Sequence, residues 1–330
     1  MDRPNPCRLA ALAATALLLS APAPGRADDG PLNVLATVGM IADVAQTVAG
    51  DCAAVTALLG PGVDPHYYSA TPSDVRAIAA AQLIFYVDRS LEERLADVLD
   101  RFRDRTPSVG LASAAFEAAD LLDDPDEPGT MDPHLWMDVS RWARIAPVIA
   151  DAIAEQRPAC AEAMAANVER YMARLDALHA WVGEAIASIP EGRRILVTAH
   201  DAFEYFADAY GIEASEAIEG ISTASEASIG DIRAVADFII DRGVPAVFVE
   251  TTINPRTVEA LVAEVRSRGH DVVIGGELFS DAMGDAGTPE GSYVGMIRAN
   301  TVTITEALGG TVPNWPEALA KWASRWGLDG

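Results

Sequence analysis

The stretch from Pro158 to Ile189 most limits what this chain can fold into. It opens on a proline, stops just before Pro190 and holds one glycine, Gly183. Within it Met164, Val168, Met172, Leu175, Leu178, Val182, Ile186 and Ile189 recur every three or four positions, which lays one apolar face along a helix. Helical throughout, the stretch would span roughly 48 Å at about 1.5 Å per residue. That is too long for a crossover inside one compact α/β unit, so it reads as a bridge between two. The alternative is two shorter helices joined by a bend near Gly183.

Two similar halves flank this bridge. A chain of 330 residues can hold two medium domains, each with its own core. Half of its residues are apolar and no long polar tract interrupts them, which makes it globular. The net charge of −25 repels a phosphate backbone, so nucleic acid is not expected as a partner. The same acidity concentrates cations near the surface.

At the start, Arg3 and Arg8 precede an apolar run, Leu9 to Leu19, and a loose segment with Gly25 and Ala27 follows. This pattern reads as a secretory signal over residues 1–27, cleaved after Ala27, and it is too short for a membrane span. Cys7 lies before the apolar run rather than after it, so no lipid anchor is expected. No other run is long and apolar enough to cross a bilayer, and the processed chain is expected to be a periplasmic monomer, not inserted in the membrane. The two remaining cysteines, Cys52 and Cys160, either form a disulfide or stay as buried thiols.

Strand-like and helix-like stretches alternate along both halves. Leu32 to Met40, Ala53 to Leu59, Leu83 to Val87 and Ser108 to Ala112 read as strands, with helices at Ile41 to Ala49 and Leu91 to Phe102. Thr71-Pro72-Ser73-Asp74 reads as a helix start, with Thr71 as N-cap. An acidic loop, Glu117 to Asp132, leads to a helix over Val139 to Gln156. After the bridge come strands at Ile195 to Ala199, Ile212 to Ile218, Ala246 to Val249 and Val272 to Ile274. Helices fall at Ala202 to Tyr210, Ser228 to Arg242, Pro255 to Arg268 and Ser292 to Leu308. The fold class is therefore α/β: two lobes, each a mainly parallel sheet with flanking helices. The expected division is residues 28–157, the linking helix 158–189, residues 190–311, and a tail, 312–330, whose Trp315, Trp322 and Trp326 pack onto a lobe from one more short helix.

Four residues share one structural address. His66, His134, His200 and Asp281 each sit at or after the C-terminal end of a strand-like segment, the edge where open parallel sheets bind ligands. Two come from each half, so a cleft between lobes could gather them. Three imidazoles and a carboxylate suit a divalent transition metal such as Zn²⁺ or Mn²⁺. His66 and His134 both follow Asp-Pro, where the proline holds the aspartate extended and stiffens the loop. The aspartate is also placed to accept the imidazole's second N–H. His179, on the bridge, and His270, after Gly269, read as ordinary surface or core residues. Glu277 and Asp285 rival Asp281 on spacing alone. Because a ligating imidazole must be neutral, metal affinity is expected to fall below about pH 6.5.

Around these residues the chain resembles a known family. The segments GVDPHYYSATPSD (62–74), MDPHLWMDV (131–139), VTAHDAFEYFADAYGI (197–212), GISTASEASIGDI (220–232) and GGELFSDAMGDAGTPEGSYVGMI (275–297) are similar to those of the TroA-like group, the zinc- and manganese-binding solute-binding proteins of ABC transporters. The resemblance covers roughly residues 32–310. It implies two α/β lobes joined by a rigid helix, and one metal ion carried as cargo between them by His66, His134, His200 and Asp281. It also implies a permease and its ATPase subunit as partners, and no catalysis. The chain departs from many zinc members in having no histidine in the acidic loop, and from many manganese members in having His200 rather than glutamate.

Two other readings fit the same residues. An exported metal-dependent hydrolase would leave one coordination position for water, but HExxH, GxSxG and Walker-type motifs are absent. A surface or adhesive protein with a structural metal would unfold when stripped of its ion.

Overall fold

The computed structural model describes Met1 and residues 30–125, 128–223 and 227–328. The expected signal segment, Met1 apart, lies outside the described residues. In the first half β1 (Leu32–Ala36), β2 (Ala53–Ala57), β3 (Leu83–Tyr86) and β4 (Ser108–Gly110) form one parallel sheet in the order β2-β1-β3-β4. Its helices are α1 (Gly39–Ala49), α2 (Pro72–Ala80), α3 (Glu93–Phe102), α4 (Leu111–Ala115), α5 (Val139–Ala143) and α6 (Ile145–Gln156).

Local chemistry explains most of these boundaries, including those that differ from expectation. Leu32 to Met40 is not one strand. β1 stops at Ala36 and α1 begins at Gly39, and the apolar run continues because Val38, Met40 and Ile41 are buried as well. α2 starts as expected: Thr71 Oγ1 accepts from Asp74 N, and Asp74 Oδ2 accepts from Thr71 N at 2.7 Å. The helix expected over Val139 to Gln156 breaks at Arg144 into α5 and α6. Pro147 is the reason: it has no N–H to give to the carbonyl of Ala143, and its ring would collide with that group.

The bridge is α7 (Ala161–Ala187), 27 residues entered through a single 3₁₀ turn at Pro158–Cys160. It is therefore about 40 Å long rather than 48 Å, and it runs through Gly183 without a break. Tyr171 and Trp181 join its buried face, whereas Val168 and Met172 are only half-buried.

In the second half β5 (Ile195–His200) pairs in parallel with β6 (Ala214–Glu219), and β7 (Ala246–Glu250) with β8 (Val273–Leu278). β5 and β7 lie side by side. The helices are α8 (Glu204–Tyr210), α9 (Ile229–Arg242), α10 (Arg256–Ser267), α11 (Tyr293–Ala307) and α12 (Ala320–Trp326). β8 runs on through Gly275 and Gly276, past the expected end at Ile274. A Cβ on Gly275 would stand 2.7 Å from that of Ala307 and 2.9 Å from the Phe248 ring, so this glycine serves close packing rather than a turn.

The largest hydrophobic cluster does not stop at the lobe boundary. It joins Val34 and Phe85 of the first sheet to Leu175, Leu178 and Val182 of α7, and on to Phe206, Phe248 and Ile297 of the second half. The outer faces of the lobes have separate clusters, around Ile84 and Leu95 in the first and around Val197 and Leu261 in the second. Cys52 and Cys160 are bridged, with Cα atoms 6.2 Å apart, which pins the end of α1 to the entrance of α7. Closing a loop across 108 residues contributes about 2–5 kcal/mol, on the view that the bond acts by restricting the unfolded chain. The tail packs back on α7: Trp315 meets Trp181 edge to face at 4.8 Å between centroids, and Trp181 donates its indole N–H to Pro313 O. Among the described residues, no helix is long and apolar enough to cross a membrane.

Candidate metal centre

Three of the four side chains, His66, His200 and Asp281, stand at or just past the C-terminal ends of β2, β5 and β8, whereas His134 departs from the expected address, coming well after β4, beyond α4 and the acidic loop. His66 lies in the loop between β2 and α2, and His134 in the segment that follows the acidic loop. His200 is the last residue of β5, and Asp281 follows β8. All four are buried, with at most 1% exposure. One donor atom from each lies within 4.8 Å of the other three, spacing that lets all four reach a single ion. Asp281 is the hub. Its Oδ2 stands 3.2 Å from His200 Nε2 and 3.7 Å from His66 Nε2, and its Oδ1 stands 3.3 Å from His134 Nε2. His66 and His134 bring their Nε2 atoms to 3.3 Å of each other.

The far sides of the rings are held unequally. Asp132 Oδ1 lies 2.7 Å from His134 Nδ1 and also accepts the His134 backbone N–H. The first Asp-Pro-His works differently. Asp64 accepts the His66 backbone N–H and the Thr223 hydroxyl, while His66 Nδ1 has no hydrogen-bond partner among the described residues. The expectation that each aspartate serves its own imidazole therefore holds for Asp132 and fails for Asp64. His200 instead has Glu250, the last residue of β7. Glu250 Oε2 sits 2.6 Å from His200 Nδ1, and Oε1 accepts the backbone N–H of both Ala199 and His200.

These partners set the charge of the cluster. Burial drives the His66 imidazole down to about 3, so it is neutral. Burial works the same way on His134, but the Asp132 and Asp281 carboxylates outweigh it and lift that ring to about 9. Glu250 and Asp281 likewise overcome burial at His200 and hold it well above the usual histidine range. Asp281, although buried, is kept well below the ordinary carboxylate range by His200 and His134. The rings already face a carboxylate with their Nε2 atoms, the orientation in which an ion could replace the shared protons.

The other expected candidates fall outside. His179 lies against the Tyr210 hydroxyl at 3.0 Å and His270 against Val244 O at 3.1 Å. Glu277 and Asp285, the rivals on spacing, are both exposed. Three residues to which the sequence assigns no role complete the site. The one local signal for Glu250 is its place as an acid ending an apolar strand. Trp136, inside the DPHLW segment, donates its indole N–H to Ser280 O at 2.8 Å and packs edge to face on His134. Tyr205 donates to Asp132 O and accepts from Leu122 N, which ties α8 to the loop behind His134.

Comparison with known proteins bears on this arrangement. The family described as the periplasmic component A of the zinc-uptake complex matches residues 34–307. The chain belongs to that family. It is 43% identical over 282 residues to the zinc-binding protein TroA of Treponema pallidum, covering 86% of this chain and 90% of the relative. It is 38% identical over 284 residues to the manganese-binding lipoprotein MntA of Bacillus subtilis, covering 86% and 92%. The solved structure of the Treponema pallidum periplasmic zinc-binding protein superposes with a TM-score of 0.81 at 42% identity, over 84% of this chain and 99% of that one. Membership accounts for the two-lobe α/β fold braced by a long helix.

Proposed function

We propose that this chain captures one divalent transition metal ion, Zn²⁺ or Mn²⁺, between its lobes and delivers it to the permease of an ABC importer driven by a cytoplasmic ATPase. His66, His134, His200 and Asp281 are the ligands. The observation that carries this reading is the convergence of four buried donor atoms, two from each half of the chain, within 4.8 Å of one another. Relatives at comparable similarity are named for zinc in one case and manganese in another. Of the two, three imidazoles against one carboxylate favour Zn²⁺ by ligand softness.

Cargo handling also fits the geometry better than catalysis does. Four protein donors fill a tetrahedral shell, whereas catalytic zinc sites keep a position open for water. The carrier acts as a monomer in the periplasm, with residues 28–157 and 190–311 as its lobes. α7 packs on helices of both halves, so release depends on movement of the ligand loops more than on wide opening of the lobes. Calorimetric titration of metal-free protein tests the reading. One ion per chain is expected, and His200→Ala should weaken binding by orders of magnitude; near-native affinity in that variant would remove His200 from the site.

A further inference from the structure

The two halves are tied together unequally around the metal cluster. Five hydrogen bonds hold residues 122–139, the segment that carries His134, to the second half. They join Leu122 and Asp132 to Tyr205, Val139 to Tyr210, and Trp136 to both Ser280 and Tyr293. The loop that carries His66 is held differently. Among the described residues, a single hydrogen bond joins residues 60–65 to the second half: the Thr223 hydroxyl donates to Asp64 Oδ2 at 2.6 Å. The seam beside that loop is also poorly filled. A cavity of about 250 Å³ is lined by Gly60 and Pro61 on one side and by Ala282 and Met283 on the other. Another, of about 400 Å³, lies between Gly62 and Thr251.

Thr223 belongs to the segment 220–232, which the sequence singles out and which the ligand set leaves without a role. That segment follows β6, whose last residue, Glu219, lies opposite His200 in the sheet. Asp64 spans the gap with both oxygens, Oδ2 taking the Thr223 hydroxyl and Oδ1 the His66 backbone N–H at 2.9 Å. One carboxylate thus links the segment beside His200 to the backbone of His66 without touching a donor atom of the cluster. The other ligands are steadied from behind. His134 has Asp132, His200 has Glu250, and Asn300 grips the backbone of Phe279, two residues before Asp281.

We propose that Thr223 is a latch: its bond to Asp64 holds the His66 loop shut against the second half and sets how fast a bound ion leaves. The inference rests on the carrier reading above and adds to it the contact that governs release. A hydroxyl-to-carboxylate bond is charge-assisted, stronger than one between neutral groups. Both partners here are half-buried, so water can take over the bond once the loop swings away. Opening on the His134 side would break five bonds, whereas opening on the His66 side breaks one.

Release of Zn²⁺ from the loaded full chain into excess chelator, followed by stopped flow, tests this. Thr223→Val keeps the side-chain shape and removes the donor. It should release the ion about tenfold faster, the order expected for loss of a hydrogen bond to a charged group. Thr223→Ser, which restores the hydroxyl, should return to the wild-type rate. X-ray absorption should show the same zinc ligands in all three proteins, with one ion per chain. Equal release from wild type and Thr223→Val would overturn the latch and leave the carrier reading standing. So would a Thr223→Ser chain as fast as Thr223→Val, or a ligand lost from the zinc in Thr223→Val. A wild-type chain that takes up no ion would overturn both.

Discussion

Trp136 donates its indole N–H to the carbonyl of Ser280 at 2.8 Å, joining the loop that carries His134 to the residue next to Asp281. Both groups are buried, and the Trp136 carbonyl in turn accepts from the Tyr293 hydroxyl. One side chain of the first half thereby ties down the loop of a proposed ligand from the second.

Trp136→Phe keeps an aromatic ring, removes the donor and leaves part of the buried indole's volume unfilled. It leaves the Ser280 carbonyl buried without its indole partner, at a cost of about 1–3 kcal/mol. A lower melting temperature and roughly tenfold weaker metal binding are the expected results. Unchanged values by calorimetry and thermal unfolding would show that the bond does not position Asp281.

Glu250→Gln separates ring orientation from ring presence. The glutamine can still accept the two backbone N–H groups but no longer offers a carboxylate to His200 Nδ1. Loss of such a partner costs about 10–100-fold in metal affinity. Asp132→Asn should do the same through His134. Asp64→Asn should do much less to metal affinity, because Asp64 does not touch the His66 ring. Equal losses in all three would contradict the asymmetry seen here.

The pH dependence follows from the two raised histidines. His134 titrates near 9 in the folded, metal-free protein, above its ordinary value of 6.5, so at neutral pH an incoming ion must displace its proton, and that of His200 as well. Affinity therefore climbs between about pH 6.5 and 9, instead of levelling off above 6.5 as an unperturbed histidine would require. Metal-free stability moves the other way: the contribution of protonated His134 is fully present below pH 6.5 and is lost as pH rises through about 9. Titration in buffers of different ionisation enthalpy should register at least one proton released per ion at pH 7.5. Flat affinity from pH 7 to 9 with no proton release would refute this.

Much of the site is legible in the sequence because its loops carry rigid local signatures. Asp-Pro-His twice, and a histidine ending a strand, single out three imidazoles without any knowledge of distant contacts. Asp281 is less legible, since Glu277 and Asp285 occupy the same stretch and only burial separates them. Glu250 and Trp136 are harder still. Their roles depend on β7 lying beside β5 and on one lobe reaching the other, relationships that no local pattern encodes. The break at Arg144, by contrast, was written in the sequence as Pro147, a residue that a helical interior does not accept. The length of α7 was nearly right from periodicity, but the sharing of one core across both lobes was not visible, because an apolar face does not say which neighbours it meets.

The most direct test is a crystal grown with Zn²⁺ and examined by anomalous scattering at the zinc edge. The expected result is one strong peak between the lobes, about 2.0–2.1 Å from the Nε2 atoms of His66, His134 and His200 and about 2.0–2.2 Å from a carboxylate oxygen of Asp281. A peak elsewhere, or one that lacks ligands from either half of the chain, would contradict the claim that the two lobes hold a single ion together.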